Sequence, residues 1–273
     1  MGQAIACANQ KGGVGKTTTV VNLGAYLALA NRRILVLDLD PQGNATSGLG
    51  VDRATLERSI YDAVVDASDL GELVLETRID GLRLIPSSIA LAGAEVELAP
   101  IEQRERRVAR LLASVVEDYD YVLIDCPPSL GLLTINGLTA ADAVLVPLQC
   151  EYYALEGLTQ LLATIDLVRD HLNPSLKLTG VVLTMFDGRT NLSADVATEV
   201  RRHLDRSVFD TVIPRSVRLS EAPSHGLPIA LYSPESRGAQ AYRALATELL
   251  SRDRSDATVP VGVAQGAFVG AAS

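Results

Sequence analysis

The stretch Asn9-Gln10-Lys11-Gly12-Gly13-Val14-Gly15-Lys16-Thr17-Thr18 gathers the residue types that cradle phosphate. Glycines let a backbone curl until successive N–H groups point inward, and a helix starting behind them adds partial positive charge. In such a loop Lys16 reaches the β- and γ-phosphates, and the Thr17 hydroxyl ligates Mg²⁺. The pattern departs from G-x-x-x-x-G-K-[ST], because Gln10 stands where the first glycine is expected. An additional lysine, Lys11, follows it.

Two further segments bring carboxylates to the same chemistry. Asp38-Leu39-Asp40-Pro41-Gln42-Gly43-Asn44 and Asp125-Cys126-Pro127-Pro128 each follow an apolar run, so they fall at the carboxyl ends of strands, where open α/β sheets bind ligands. Asp125 suits the aspartate that holds Mg²⁺ through water beside Thr17; the competing reading is a turn or helix-capping aspartate. Asp40 suits a group that polarises an attacking water, against a plain turn former before Pro41. The nucleotide is expected to be ATP, since no Asn-Lys-x-Asp segment is present to read a guanine base.

These residues need strands and helices to hold them. Ala4-Ile5-Ala6-Cys7-Ala8 reads as a buried strand ahead of the loop, and 16–30 as the helix behind it. Further strands are expected at 33–38, 81–86, 121–124, 143–147 and 178–183. Helices are expected at 56–76, 102–116, 156–171, 193–206 and 236–250. Short apolar runs alternating with amphipathic helices imply an α/β fold, a doubly wound and mostly parallel sheet flanked by helices. Residues 1–250 read as one such domain. Residues 251–273, rich in Ala, Gly, Val and Ser, read as a disordered tail without a basic amphipathic face.

Bulk properties narrow the setting. The chain has 273 residues, 48% hydrophobic and 21% charged, with no apolar run approaching the ~18 residues of a membrane span. No basic n-region precedes an apolar segment, so the expectation is a cytoplasmic protein. Cys7, Cys126 and Cys150 lack C-x-x-C spacing and read as small apolar filler rather than disulfide or zinc ligands. The net charge of −9 argues against nucleic acid as a partner, but a local arginine stripe acts within a Debye length of ~8–10 Å whatever the total. Only three lysines occur, and two of them stand in the opening loop. Arg104, Arg106, Arg107 and Arg110 interleave with Glu102 and Glu105, which reads as a salt-bridged helix face. His225 lacks a carboxylate or serine partner in sequence and reads as a turn residue.

The phosphate loop, the Asp38–Asn44 run and Asp125-Cys126-Pro127-Pro128-Ser129 together resemble the ParA/MinD group of deviant P-loop ATPases. Gln149-Cys150-Glu151-Tyr152-Tyr153-Ala154-Leu155-Glu156-Gly157 and Val217-Arg218-Leu219-Ser220-Glu221-Ala222-Pro223-Ser224-His225-Gly226 are similar to its chromosomal, Soj-type branch. The resemblance implies a P-loop NTPase fold and Mg²⁺-dependent hydrolysis of ATP. It also implies a homodimer with two nucleotides sandwiched between subunits. ATP would lie against Lys11, Gly12, Gly13, Val14, Gly15, Lys16, Thr17 and Thr18, and against Met185, Pro214 and Arg215. Lys11, Lys16 and Asp40 would be catalytic, with Lys11 reaching the partner subunit's phosphates. The ATP dimer would bind DNA without sequence preference through Arg189, Arg215 and Arg218, with Arg201, Arg202 and Arg206 weaker candidates. A ParB-type centromere-binding protein would stimulate turnover, and the protein would work on the nucleoid.

Three other readings share the loop. A MinD-like membrane-positioning ATPase wants a basic amphipathic C-terminus that residues 251–273 lack. An iron–sulfur reductase wants differently placed cysteines. A metabolic ATP-dependent ligase has no visible second-substrate site. The short segment ahead of the first strand leaves no room for a helix-turn-helix, so sequence-specific operator binding is not expected.

Overall fold

The computed structural model describes residues 2–66, 68–151 and 154–254. Seven strands form one sheet in the order β3-β4-β2-β5-β1-β6-β7. They are β1 (Gln3–Cys7), β2 (Ile34–Asp38), β3 (Leu75–Glu76), β4 (Leu82–Ile85), β5 (Tyr121–Asp125), β6 (Ala143–Gln149) and β7 (Lys177–Thr184). Every neighbouring pair is parallel except β3–β4. The apolar runs read as buried strands are buried on both faces, because successive side chains feed two separate cores. On one side Ile5, Cys7, Ile34, Val36 and Leu123 meet α1 (Lys16–Leu29) and α11 (Arg237–Arg254). On the other, Ala4, Ala6, Leu35, Leu37 and Ile124 meet α3 (Ile60–Asp66), α4 (Leu91–Glu97), α5 (Arg107–Leu112), α6 (Leu132–Ala140), α7 (Ala154–His171) and α8 (Asn191–Leu204). The three-layer, doubly wound arrangement is the one expected.

Several elements differ from the sequence reading. Of the 56–76 span only α3 is α-helical: Asp69 accepts from the Gly71 N–H at the start of a single 3₁₀ turn, Gly71–Leu73, and the chain then pairs antiparallel with β4 as β3. The 102–116 span is helical only over α5, flanked by single turns of 3₁₀ helix. The reason is tertiary: buried Asn136 accepts from the Val108 N–H and donates to the Arg104 carbonyl, fixing where the helix begins. In the arginine group, Arg104 does pair with Glu105, but Arg107 donates to the carbonyls of Val64 and Val65 at the end of α3. The last helix continues through Arg254, four residues into the stretch read as tail; residues 255–273 lie outside the described residues. No helix among the described residues is long and apolar enough to cross a membrane.

Two short helices complete the frame: α2 (Asn44–Gly48) after β2, and α9 (Val217–Glu221) beyond β7. The 213–218 segment lies beside the end of β7, where Phe186 bridges Pro214 in parallel and the Arg215 N–H donates to the Phe186 carbonyl. A last short helix, α10 (Ile229–Tyr232), is tied to α1 by the Ile229 N–H donating to Asn22 Oδ1.

Candidate nucleotide site

A cavity of about 920 Å³ opens at the carboxyl edge of the sheet, lined among others by Gly15, Lys16, Thr17, Asp40, Met185 and Pro214. Of the other residues expected to contact ATP, Gly13, Thr18 and Arg215 also line it. The loop that floors it is shaped by two glycines in the left-handed region, Gly13 at φ 73° and Gly15 at φ 92°, which turn the backbone before α1. The two strands on one side of it, β6 and β7, hold it in place. Asn9 donates to the Pro147 carbonyl at 2.7 Å and accepts from the Lys11 N–H at 3.0 Å. Further along, Thr184 Oγ1 donates to the carbonyl of the buried Val14 at 2.8 Å. Gly12 is exposed at the loop tip.

The two lysines take different positions. Lys16 is buried, and its Nζ donates to the Lys11 carbonyl at 3.1 Å, inside the curl where phosphate oxygens would sit. Lys11 projects the other way and forms an ion pair with Glu151, Nζ to Oε2 2.7 Å. Glu151 in turn accepts from Gln149 Nε2. Glu151 stands in the 149–157 segment read from sequence, but its pairing with Lys11, 140 positions away, was not signalled there. Tyr152 and Tyr153 of the same motif lie outside the described residues.

Three carboxylates converge opposite Lys16. Asp38 and Asp125 are register partners at the ends of β2 and β5, and both are fully buried. Burial raises the Asp38 pKa from 3.8 to about 6, against hydrogen bonds from Thr46 and Asp40 that lower it. Burial, then the Asp38 charge, push Asp125 well above the carboxylate range; the Thr17 hydroxyl and the Lys16 charge pull the other way. The Thr17 hydroxyl is near enough to favour the charged form, but it does not reach hydrogen-bond geometry, and neither oxygen of Asp125 has a partner that does. A buried carboxylate left so exposed to its own desolvation cost fits a site completed by a hydrated cation. Among the described residues no group of three or more His, Cys, Asp or Glu could hold a metal by itself. Mg²⁺ keeps several waters and takes further ligands from substrate phosphates.

Asp40 lines the cavity at its edge. Its Oδ1 accepts from the Gln42 N–H at 2.9 Å and its carbonyl from the Gly43 N–H at 2.8 Å. Met185, expected at the nucleotide, has φ 49°, uncommon for a residue with a side chain and a mark of local strain at sites that bind. Sequence reasoning missed Asn22 and Thr184 in the lining and the buried Thr46, and gave no task to Asn9 or Asn44 within the segments it singled out. For Thr184 and Asn44, a polar side chain at a strand end or helix start was the available signal.

The arginines expected at DNA share one end of the molecule with the cavity. The backbone pairing of 186 with 214 brings the loops of Arg189, Arg215 and Arg218 side by side. Arg189 is 88% exposed and forks onto Asp187 at 2.8 and 2.7 Å, while Arg218 pairs with Glu221 at 2.9 Å. Arg189 holds the Asp187 carboxyl down to about 2, with Arg215 adding to the effect. Arg201 and Arg202 are exposed on α8, and Arg202 pairs with Glu199. His225 is exposed and stacks on Tyr232, and the three cysteines are buried and free.

Residues 2–178 match the family described as an AAA domain. The chain is 59% identical over 249 residues to the sporulation initiation inhibitor protein Soj of Bacillus subtilis, covering 91% of this chain and 98% of that protein. It is 53% identical over 253 residues to the chromosome partitioning protein ParA of Myxococcus xanthus, covering 93% of this chain and 89% of that one. Among solved structures, cobyrinic acid a,c-diamide synthase from Mycobacterium smegmatis, with bound ADP and magnesium, is similar at a TM-score of 0.83 and 42% identity, covering 95% of this chain and 98% of that one.

Proposed function

The chain belongs to the ParA/Soj family of chromosome-partitioning ATPases, and from that premise we propose that it is an ATP-driven partitioning switch. It binds ATP with Mg²⁺ and hydrolyses it slowly to ADP and phosphate. The ATP form is a homodimer that holds two nucleotides between its subunits and binds nucleoid DNA without sequence preference. A ParB-type centromere-binding partner stimulates hydrolysis and so releases it. The observation that carries the reading is one cavity mouth with Lys16 inside it, Asp40 at its edge and the unsatisfied Asp125 carboxylate behind Thr17.

Each residue has a task in that scheme. The curled backbone of 12–17 offers N–H groups to the phosphates, and Lys16 exchanges the Lys11 carbonyl for phosphate oxygens. Thr17, and Asp125 through water, would hold Mg²⁺, which when bound neutralises charge on the transferring phosphoryl group. Met185, Pro214 and Arg215 enclose the rest of the nucleotide. Asp40 orients the attacking water with the carboxylate oxygen that Gln42 does not occupy. Lys11 leaves Glu151 for the partner subunit's phosphates, in a water-poor interface where a charge-assisted contact is strong. Because Pro214 and Arg215 line the cavity and Arg218 stands three residues on, nucleotide state and DNA surface are carried by one segment.

The test is Asp40→Ala. Losing a positioned proton acceptor lowers turnover by roughly 10²–10⁴-fold. The variant is expected to bind ATP normally and to accumulate as a DNA-bound dimer, read by nucleotide titration, light scattering and a DNA gel shift. A variant that stays monomeric with ATP, or hydrolyses it at the normal rate, defeats the reading.

A further inference from the structure

The loop that carries Asp40 is fastened at its ends by another residue, Asp38. It runs from the end of β2 to the start of α2, and both ends are fastened to one carboxylate. Asp38 Oδ1 accepts from the Asp40 N–H at 3.2 Å. Asp38 Oδ2 accepts from the Thr46 N–H at 2.8 Å and from the Thr46 hydroxyl at 2.7 Å. The Thr46 hydroxyl is itself an acceptor, for the Ser87 N–H at 2.9 Å. Asp38, Thr46 and Ser87 are all completely buried. One hydroxyl thus joins three segments: the end of β2, the first turn of α2 and the connection after β4.

Between the fasteners the loop has little freedom of its own. The Gly43 N–H closes a turn on the Asp40 carbonyl, Gly43 sits at φ 59°, and the Gln42 N–H takes one Asp40 oxygen. The direction of the other Asp40 oxygen is therefore set by where Asp38 and Thr46 hold the ends. We propose that Thr46 is a positioning residue for hydrolysis, whose hydroxyl fixes the Asp38 clamp and through it the aim of Asp40. The proposal rests on the reading of Asp40 as the water-orienting group. Thr46 is completely buried and is not among the residues that line the cavity; it acts through the loop.

A hydroxyl that both donates and accepts in a dry site has no apolar substitute. Thr46→Val keeps the shape but removes one of the two donors to Asp38 Oδ2 and leaves the buried Ser87 N–H without its acceptor. Thr46→Ser keeps both bonds. Misplacing a catalytic group by about 1 Å costs up to ~10²-fold in rate.

The experiment measures kcat, ATP affinity and thermal midpoint for Thr46→Val, Thr46→Ala, Thr46→Ser and Asp40→Ala in the full chain. The expected result is a kcat lowered about 10- to 100-fold in Thr46→Val, with the Kd for ATP changed less than about twofold, and a kcat largely rescued in Thr46→Ser. An unchanged kcat in Thr46→Val overturns the proposal. So does an ATP affinity that falls in step with kcat, or a serine variant as slow as the valine one. If Thr46→Val does not fold, Thr46→Ala is read by the same criteria, and failure of both to fold makes Thr46 a fold residue and ends the proposal. The arms are separable: an active Asp40→Ala defeats the reading of Asp40, whereas an inactive Asp40→Ala beside a fully active Thr46→Val defeats only the role of Thr46.

Discussion

Arg189→Ala tests the DNA reading most sharply, because the structure fixes what the change removes. The guanidinium is 88% exposed and bonds only to Asp187, two residues away on the same loop, so no packing depends on it. Folding and ATP-driven dimerisation should be untouched. Phosphate contacts release counterions, and each contributes about 0.9 to the slope of log K against log salt on duplex DNA. A dimer presents Arg189 twice, so the variant's slope should be shallower by about 1.8. Between about 50 and 200 mM salt, that is a change of about 12-fold in the ratio of wild-type to variant affinity, largest at low salt. Fluorescence anisotropy with duplexes of unrelated sequence, at four or five salt concentrations with a non-hydrolysed ATP analogue, measures it. Asp187→Asn serves as the opposite arm, since it removes an anion from the same spot and should tighten binding. A slope unchanged in Arg189→Ala, or weaker binding in Asp187→Asn, would refute the assignment of this loop to DNA.

Other predictions follow from single contacts. Glu151→Gln unties Lys11, and an exposed ion pair is worth at most about 1 kcal/mol; each of the two subunits gives one up, so the ATP dimer should form at up to ~30-fold lower protein concentration, read by analytical ultracentrifugation. Asp38 has its pKa raised to about 6 in the folded chain. The folded state therefore binds the proton more tightly than the unfolded one, and this contribution to stability, full below about pH 4, is lost as pH rises to about 6. In urea titrations of the nucleotide-free protein, wild type should lose about 3 kcal/mol relative to Asp38→Asn over that window; a constant difference would contradict it. At Gly226, φ is 62° and an added Cβ would lie 2.9 Å from the Gly50 Cα. Gly226→Ala should cost about 1–3 kcal/mol and lower the thermal midpoint by several degrees.

The phosphate loop and the central strands could be read from sequence because their signals are local. Continuous apolar runs such as Ile34-Leu35-Val36-Leu37 have no other stable home than a sheet covered on both faces. The loop's glycines and lysines act within one turn of chain. What escaped was set by distant contacts. The α6 segment, Leu132–Ala140, faces neighbours on most sides, and its sequence lacks the polar stripe that marks a surface helix. The two-residue strand β3 exists only because β4 offers it an edge. At the site, Asp38 stands in a segment singled out from sequence but without a task there, since its contacts are with Thr46 and with Ser87 beyond it, brought together by the β2–β4 pairing. Arg189 and Arg218 were singled out, but their carboxylate partners, close in sequence though they are, were not.

The hydrogen bond from Lys16 Nζ to the Lys11 carbonyl gives the loop an internal ligand of its own. In the proposed scheme the ammonium that would meet the incoming phosphates already has an oxygen in front of it, supplied by the very residue expected to face the other subunit. Phosphate and carbonyl then compete for one charge, so binding is an exchange of ligands on a loop already curled, with little backbone ordering left to oppose it. Whatever grip Lys16 gives up is grip on the main chain of Lys11. The two lysines are thereby joined like the ends of a lever, with the local pocket at one end and the opposite subunit at the other.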